Sequence, residues 1–272
     1  MSSIITNSAA MNALTTLRNI NNSLTSTQDR VSSGLKVSTA KDNAAYFSIS
    51  ETMNSDSSLN KSVNEGMTLA KNSVATARLG VEAVVDLAKQ YIDRQTFAVN
   101  LPTADQALVR EELVALAAQM QNILDQSNFN GEDLVTATAG TKTVTTGLFR
   151  GAAALEASTL TLTTVDVSAL VTALIPATAT FDAAGVNTSR DQLDLMIAYA
   201  TDLGITEKAI ENQQSFLATL TDRLDSGIGG MVDADMEAEA ARLQALQVQQ
   251  QLATQSLAIA NQNPQNILSL FR

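Results

Sequence analysis

The stretch VNEGMTLAKNSVATARLGVEAVVDLAKQY, Val63–Tyr91, decides the fold. Within it Val63, Met67, Ala70, Val74, Ala77, Val81, Val84, Ala88 and Tyr91 alternate steps of four and three without a miss. That spacing draws one apolar seam along a helix, and a seam needs a partner helix. The pattern predicts a helix of about forty residues, from about Ser57 to Val99, too long for an ordinary globular helix and suited to a coiled-coil rod.

Reading outward toward the C-terminus, Leu101-Pro102 ends the helix. Thr103 with Gln106 has the form of a capping box for the next one. Its seam is Val109, Leu113, Leu116, Met120 and Ile123, and it closes near Gln126. The short connection predicts antiparallel packing. Asn128-Phe129-Asn130-Gly131 is a turn signal. Beyond it Thr, Val, Ala and Gly dominate. Leu160 and Leu162 alternate with Thr159, Thr161 and Thr163 as in a half-buried strand, and Lys142–Leu148 is a second strand candidate. Ser189 with Gln192 reads as another capping box. Met196, Leu203, Ile210, Leu217 and Leu224 then recur every seven residues, so this helix joins the rod. Ser226-Gly227-Ile228-Gly229-Gly230 predicts a stop and a hinge.

Both ends of the chain repeat the seam pattern. Leu17, Ile20, Leu24, Thr27 and Val31 lie on a helix read from Ser2 to about Leu35, with Gly34 near its end. Residues Lys36–Phe47 interrupt it, and Thr39 three before Asp42 is a weak start signal. Leu243, Leu246, Gln250, Ala253, Leu257 and Ala260 lie on a helix from about Asp233 to Asn261, with Asn263-Pro264 read as its break. A last apolar patch holds Leu268, Leu270 and Phe271. The fold class is mainly α with a small β module. The expected form is an elongated helical hairpin with its terminal helices packed together and the β module at the outer tip. Five stretches follow: 1–35, 36–131, 132–188, 189–232 and 233–272. The seam residues Leu17, Ile20, Leu24, Val31, Leu243, Leu246 and Leu257, with the tail Leu268, Leu270 and Phe271, are the candidate subunit-interface set. Their helices are rich in Ser, Thr, Asn and Gln, poor formers or adaptable packers that order on association.

Composition removes whole classes of chemistry. The 272 residues include no Cys and no His. No disulfide framework, thiolate metal site, imidazole base or Ser-His-Asp triad can be built from them. Net charge is −11 and the pI about 4.4, which argues against nucleic acid and anionic membrane partners. The start Met1-Ser2-Ser3-Ile4-Ile5 lacks the basic and apolar regions of a cleaved signal. Asp233, Asp235, Glu237 and Glu239 are the densest carboxylates. Steps of two on a helix lie about 200° apart, so they cannot converge on one ion, and acidic residues at a helix start suit its dipole. The Gly run lacks the strand and Lys-Ser/Thr of a phosphate loop. No catalytic, cofactor or metal site emerges.

Four motifs carry a resemblance. Arg30-Val31-Ser32-Ser33-Gly34-Leu35-Lys36-Val37-Ser38-Thr39-Ala40-Lys41-Asp42-Asn43-Ala44-Ala45 strongly resembles the N-terminal signature of bacterial flagellins. Asn261-Gln262-Asn263-Pro264-Gln265-Asn266-Ile267-Leu268-Ser269-Leu270-Phe271-Arg272 resembles their C-terminus. Val232-Asp233-Ala234-Asp235-Met236 and Gln126-Ser127-Asn128-Phe129-Asn130-Gly131 resemble two further motifs. The resemblance covers about 1–135 and 190–272 and leaves a short middle. It implies a homopolymer, the extracellular flagellar filament, and a structural role without a cofactor or an enzymatic activity. It implies passage through a type III export apparatus, a cytoplasmic chaperone on the C-terminal region, and contact with cap and hook-associated proteins. A hook–filament junction protein, which shares the terminal helices, is the alternative. Sugar-bearing threonines are a habit of some members, and Thr143, Thr145, Thr146, Thr161 and Thr163 would be the acceptors here.

Overall fold

The computed structural model describes residues 7–136, 140–150, 155–174 and 181–269. Its elements run α1 (Ser8–Ser33), α2 (Ala44–Ala98), α3 (Thr103–Gln126), β1 (Gly140–Arg150), β2 (Leu155–Thr164), α4 (Val167–Leu174), α5 (Ala183–Val232) and α6 (Met236–Ser269). The fold is mainly α with one two-stranded antiparallel sheet. The chain divides into two compact units: Ser57–Asp222, and Met1–Asp56 with Arg223–Arg272.

In the unit Ser57–Asp222, the seam read from the sequence forms much of the core, with Val63 and Ala70 only half-buried. Met67, Val74, Ala77, Val81, Val84, Ala88 and Tyr91 of α2 are buried, as are Met196, Leu203, Ile210 and Leu217 of α5. Lys71 pairs with Glu211 at 2.8 Å and Arg78 with Glu207 at 2.8 Å, so α2 and α5 run antiparallel. Hydrogen bonds from Lys71 and Lys208 hold the Glu211 carboxyl down at about 2. Arg94 meets Glu112 at 3.1 Å, and α3 returns antiparallel along α2 as expected. Val109, Leu113 and Met120 of α3 complete the apolar layer, but Leu116 and Ile123 of the expected seam are only half-buried, and Ala117 and Leu124 take the buried places.

The hairpin pairs Thr141 with Thr163, Thr143 with Thr161, and Thr145 with Thr159. These six threonines are exposed, while Val144 and Leu160 are half-buried and Leu162 is buried. The alternation predicted for a half-buried strand is therefore present in both strands, with one register shift between Thr145 and Gly147. Thr146 is half-buried and hydrogen-bonds Ser158.

Several boundaries differ from the sequence reading. First, α4 is an addition. It is only eight residues long, and its buried face, Val167, Val171 and Leu174, is β-branched apart from the last. Such a segment reads as strand until tertiary packing overrides propensity. The Tyr91 hydroxyl donates to the Leu174 carbonyl, and Tyr199 donates to the Leu134 carbonyl at 2.5 Å. Burial pushes both phenols up to about 12. Second, α5 starts at Ala183, not Ser189. Asp182 caps it by accepting from the Gly185 amide at 2.7 Å, and Ser189 is a buried residue inside the helix. Third, the Thr103–Gln106 box does not form. Pro102 stands at the cap with no side-chain bond, and the Gln106 amide donates instead to the carbonyls of Ala98, the last residue of α2, and of Leu101 in the connection.

Three corrections fall in the other unit. Helix α2 begins at Ala44, well before Ser57, because Asn43 Oδ1 accepts from the amides of Ala45 and Tyr46. A cap nucleates a helix that weak apolar periodicity would not announce. The run Gly227–Gly230 is helical, not a hinge, since α5 continues to Val232. A Cβ on Gly227 would lie 3.1 Å from the Met53 methyl, so a small residue there leaves room for Met53. Glycine costs a helix only about 1 kcal/mol per residue, which packing can offset. Last, α6 does not stop at Asn263-Pro264 but extends to Ser269. Among the described residues no helix is long and apolar enough to cross a membrane.

Candidate assembly surface

The terminal helices are held by a short knot of backbone bonds. Gly34 takes φ +73° and closes α1 by donating to the Arg30 carbonyl at 2.8 Å. Glycine adopts that left-handed conformation without strain, which a helix-ending position requires. Leu35 then bridges Asp233 in antiparallel fashion. The Lys36 amide donates to the Val232 carbonyl at 2.6 Å, and the Ala234 amide to the Gly34 carbonyl at 2.9 Å. Val37 is buried beside this ladder. The Asp42 carboxylate accepts from Thr39 and Ser38, and the Thr39 bonds hold it below its ordinary value.

The acidic cluster has structural uses. Asp235 accepts from the Glu237 and Ala238 amides at 3.1 Å each and so caps α6. Glu239 is buried and pairs with Arg30 at 3.2 Å and Arg242 at 3.4 Å.

Helices α1 and α6 run antiparallel. Asn7 meets Ala260, Asn21 meets Gln250, and Arg30 meets Glu239, in opposite order along the two helices. Asn7 explains why Pro264 does not break α6. Proline has no N–H, so the carbonyl four residues earlier, that of Ala260, loses its helical donor. The Asn7 amide supplies one at 2.8 Å, while its Oδ1 accepts from the Ala10 amide and caps α1. Asn7→Ala should therefore lose a cap and orphan a carbonyl, destabilising the pair by about 1–2 kcal/mol. Asn7→Asp keeps the cap acceptor but not the donor and should fall between. Hydrogen-exchange protection of α1 and α6 amides reads both, and equal protection in all three chains would refute this role.

The structure places the candidate seam residues along the α1–α6 pair. Leu17, Ile20, Leu24 and Val31 of α1, and Leu243, Leu246 and Leu257 of α6, are half-buried. Ile20 borders the same recess as Ala253, and Thr27 the same recess as Leu246. The sequence-defined set is thus first an intrachain seam. Leu268 lies within α6, and Leu270 and Phe271 lie outside the described residues. The reading missed a second apolar stripe. Met11 and Leu14 on α1, and Val248, Leu252 and Ile259 on α6, are exposed, Met11 and Ile259 to 63%. Val248, Leu252 and Ile259 recur at one and three turns. A helix that is apolar on two faces calls for two partners, and that signal was in the sequence.

Residues 4–140 match the bacterial flagellin N-terminal helical region, and residues 186–271 match the C-terminal helical region. The chain belongs to the bacterial flagellin family. It is 36% identical over 281 residues to a flagellin of Brucella melitensis, and 36% identical over 321 residues to flagellin C of Rhizobium meliloti, with each chain covered in full. Flagellin FljK of Caulobacter vibrioides is 29% identical, covering 100% of this chain and 99% of that one. The crystal structure of a Bacillus cereus flagellin aligns with a TM-score of 0.35 at 20% identity, over 66% of this chain and 94% of that one. Nothing in these matches favours a hook–filament junction protein.

The family motifs now have physical content. Residues 30–45 and 232–236 are the two sides of the backbone knot between the terminal helices. In the motif 126–131, the Ser127 side chain lies against Gly80, where an added Cβ would overlap it. Asn130 at φ +53° and Gly131 at φ +79° form the tight turn that bridges Phe129 to Glu132.

Proposed function

We infer that this chain is the structural subunit of a bacterial flagellar filament and polymerises with copies of itself through the α1–α6 pair. One observation carries the reading. The pair leaves its own seam only half-buried and a second stripe, Met11, Leu14, Val248, Leu252 and Ile259, exposed. Apolar surface on two terminal helices is what neighbouring copies would cover, and closing it would withdraw apolar area from water at about 25 cal/mol per Å². Leu17, Ile20, Leu24, Val31, Leu243, Leu246 and Leu257 set the shape of that pair, and Leu268, Leu270 and Phe271 are the further residues we assign to the subunit interface.

Around this role we place the partners that the family implies. The chain leaves the cell through a type III export apparatus, α6 is guarded by a chaperone in the cytoplasm, and addition to the extracellular filament occurs beside cap and hook-associated proteins. Its role is structural rather than enzymatic, and it needs no cofactor.

Electron microscopy of the purified chain tests the reading. The full chain is expected to grow long filaments. A chain lacking Leu268–Arg272 is expected to grow none while keeping the melting transition of Ser57–Asp222. Failure of the full chain to polymerise under conditions that assemble its relatives would overturn the function. Filaments from the shortened chain would remove the tail from the interface.

A further inference from the structure

The sequence holds 8 methionines and no Cys, Trp or His, so methionine sulfur is the side-chain atom most open to a two-electron oxidant. Burial separates the eight. Met67, Met120 and Met196 are 0% exposed, and Met53 and Met231 are half-buried. Met236 is 44% exposed and Met11 63%, which makes Met11 the most open methionine among the described residues.

The position of Met11 gives that exposure a consequence. Asn7 meets Ala260 at 2.8 Å, so Met11, one turn further along α1, stands at the end of the α1–α6 pair that holds Ile259. Leu14 follows on α1 and is exposed as well. The thioether is therefore open to solvent in the free subunit, and it lies in the stripe that neighbouring copies would cover. An unbranched, polarisable side chain suits such an uneven apolar contact.

We propose that Met11 is an oxidation site that controls assembly: a peroxide converts its thioether to the sulfoxide, and the oxidised subunit does not join the filament until the sulfoxide is reduced. The proposal rests on the filament reading above. The Sδ lone pair attacks one oxygen of hydrogen peroxide, and the S–O bond forms as the O–O bond breaks. Sulfur gives up two electrons. The second oxygen takes them and leaves, with both protons, as water. Reversal needs a methionine sulfoxide reductase supplied with two thiols, which leave as a disulfide while the oxygen leaves as water. The two states of the subunit respond differently. In the free chain water solvates the new S–O dipole, so folding is little changed. In an apolar contact the dipole would be stripped of water without a donor, and Met11 would no longer add to the buried apolar area.

Mild hydrogen peroxide on the purified chain, followed by peptide mass spectrometry with fragment assignment, tests the site. Met11 is expected to gain an oxygen first, and Met67, Met120 and Met196 last. The treated chain should keep its melting transition, while its critical concentration for polymerisation rises about tenfold or more. Met11→Leu should lose that sensitivity: after peroxide its critical concentration should stay within about twofold of its own untreated value. Met236→Leu should respond as the parent does. Assembled filaments given the same dose should show Met11 spared relative to the free chain. A parental response in Met11→Leu, or equal oxidation of Met11 in filament and free chain, would overturn the proposal while leaving the filament reading intact. Should Met11→Leu not polymerise, Met236→Leu decides, and an unchanged critical concentration after peroxide would overturn the proposal. Failure of the untreated parent to polymerise would instead be a failure of the filament reading, and control of assembly would fall with it.

Discussion

Leu217→Ala is expected to lower monomer stability by about 2–5 kcal/mol, whereas Leu257→Ala is expected to change it by well under half of that. Leu217 is 3% exposed in the layer it shares with α2, so removing its branch leaves a cavity that the rigid helices cannot close. Leu257 is half-buried in the α1–α6 pair, and water already reaches part of it. Its effect should instead fall on polymerisation, where neighbouring copies would complete its burial. Urea denaturation of the monomer together with the critical concentration for assembly separates the two. Equal losses of monomer stability would break the division between a self-sufficient rod core and a terminal pair completed by assembly.

Gly80→Ala should destabilise the chain by about 1–3 kcal/mol, although alanine is the better helix residue. A Cβ at position 80 would overlap the Ser127 side chain, which is buried and whose hydroxyl donates to the Ile123 carbonyl at 2.6 Å. Neither helix can retreat without opening the core between α2 and α3. Gly204→Ala is the control. Its added methyl would sit 3.7 Å from the Arg78 side chain, an ordinary contact, so it should stabilise by about 0.5–1 kcal/mol. Thermal melts of the two variants should therefore move in opposite directions. A Gly80→Ala chain as stable as the parent would mean that Ser127 can turn away at no cost.

These residues also mark what the sequence could and could not disclose. Of the heptad positions, Met196, Leu203, Ile210 and Leu217 are buried, because a seam depends only on spacing along one helix, while the fifth, Leu224, is half-buried and belongs to the other unit. The terminal seams were legible for the same reason. The helix limits were not, because they depend on partners remote in sequence. Pro264 reads as a break until Asn7 is known to serve the Ala260 carbonyl. Gly227 reads as a hinge until Met53 is known to occupy the space beside it. The capping boxes misled in another way: Ser189 and Thr103 have the right neighbours, but Asp182 and Pro102 take the cap positions. Of the surface proposed for assembly, the inner seam was visible. The outer stripe, Met11, Leu14, Val248, Leu252 and Ile259, is sparser and less regular than the inner seam on the same helices, and so less legible.

The bonds between α1 and α6 join residues 253, 229 and 209 positions apart. Bringing such distant residues together carries a loop-closure cost that nearer contacts do not. The core between α2, α3 and α5 can condense first and shorten the effective loop, so the terminal pair should be the last part of the monomer to form. Before that moment α1 and α6 are separate, weakly helical strands with no common surface to offer. The connectivity thus works as a clock. On this order of events the surface proposed for assembly is completed only after the rest of the chain has folded.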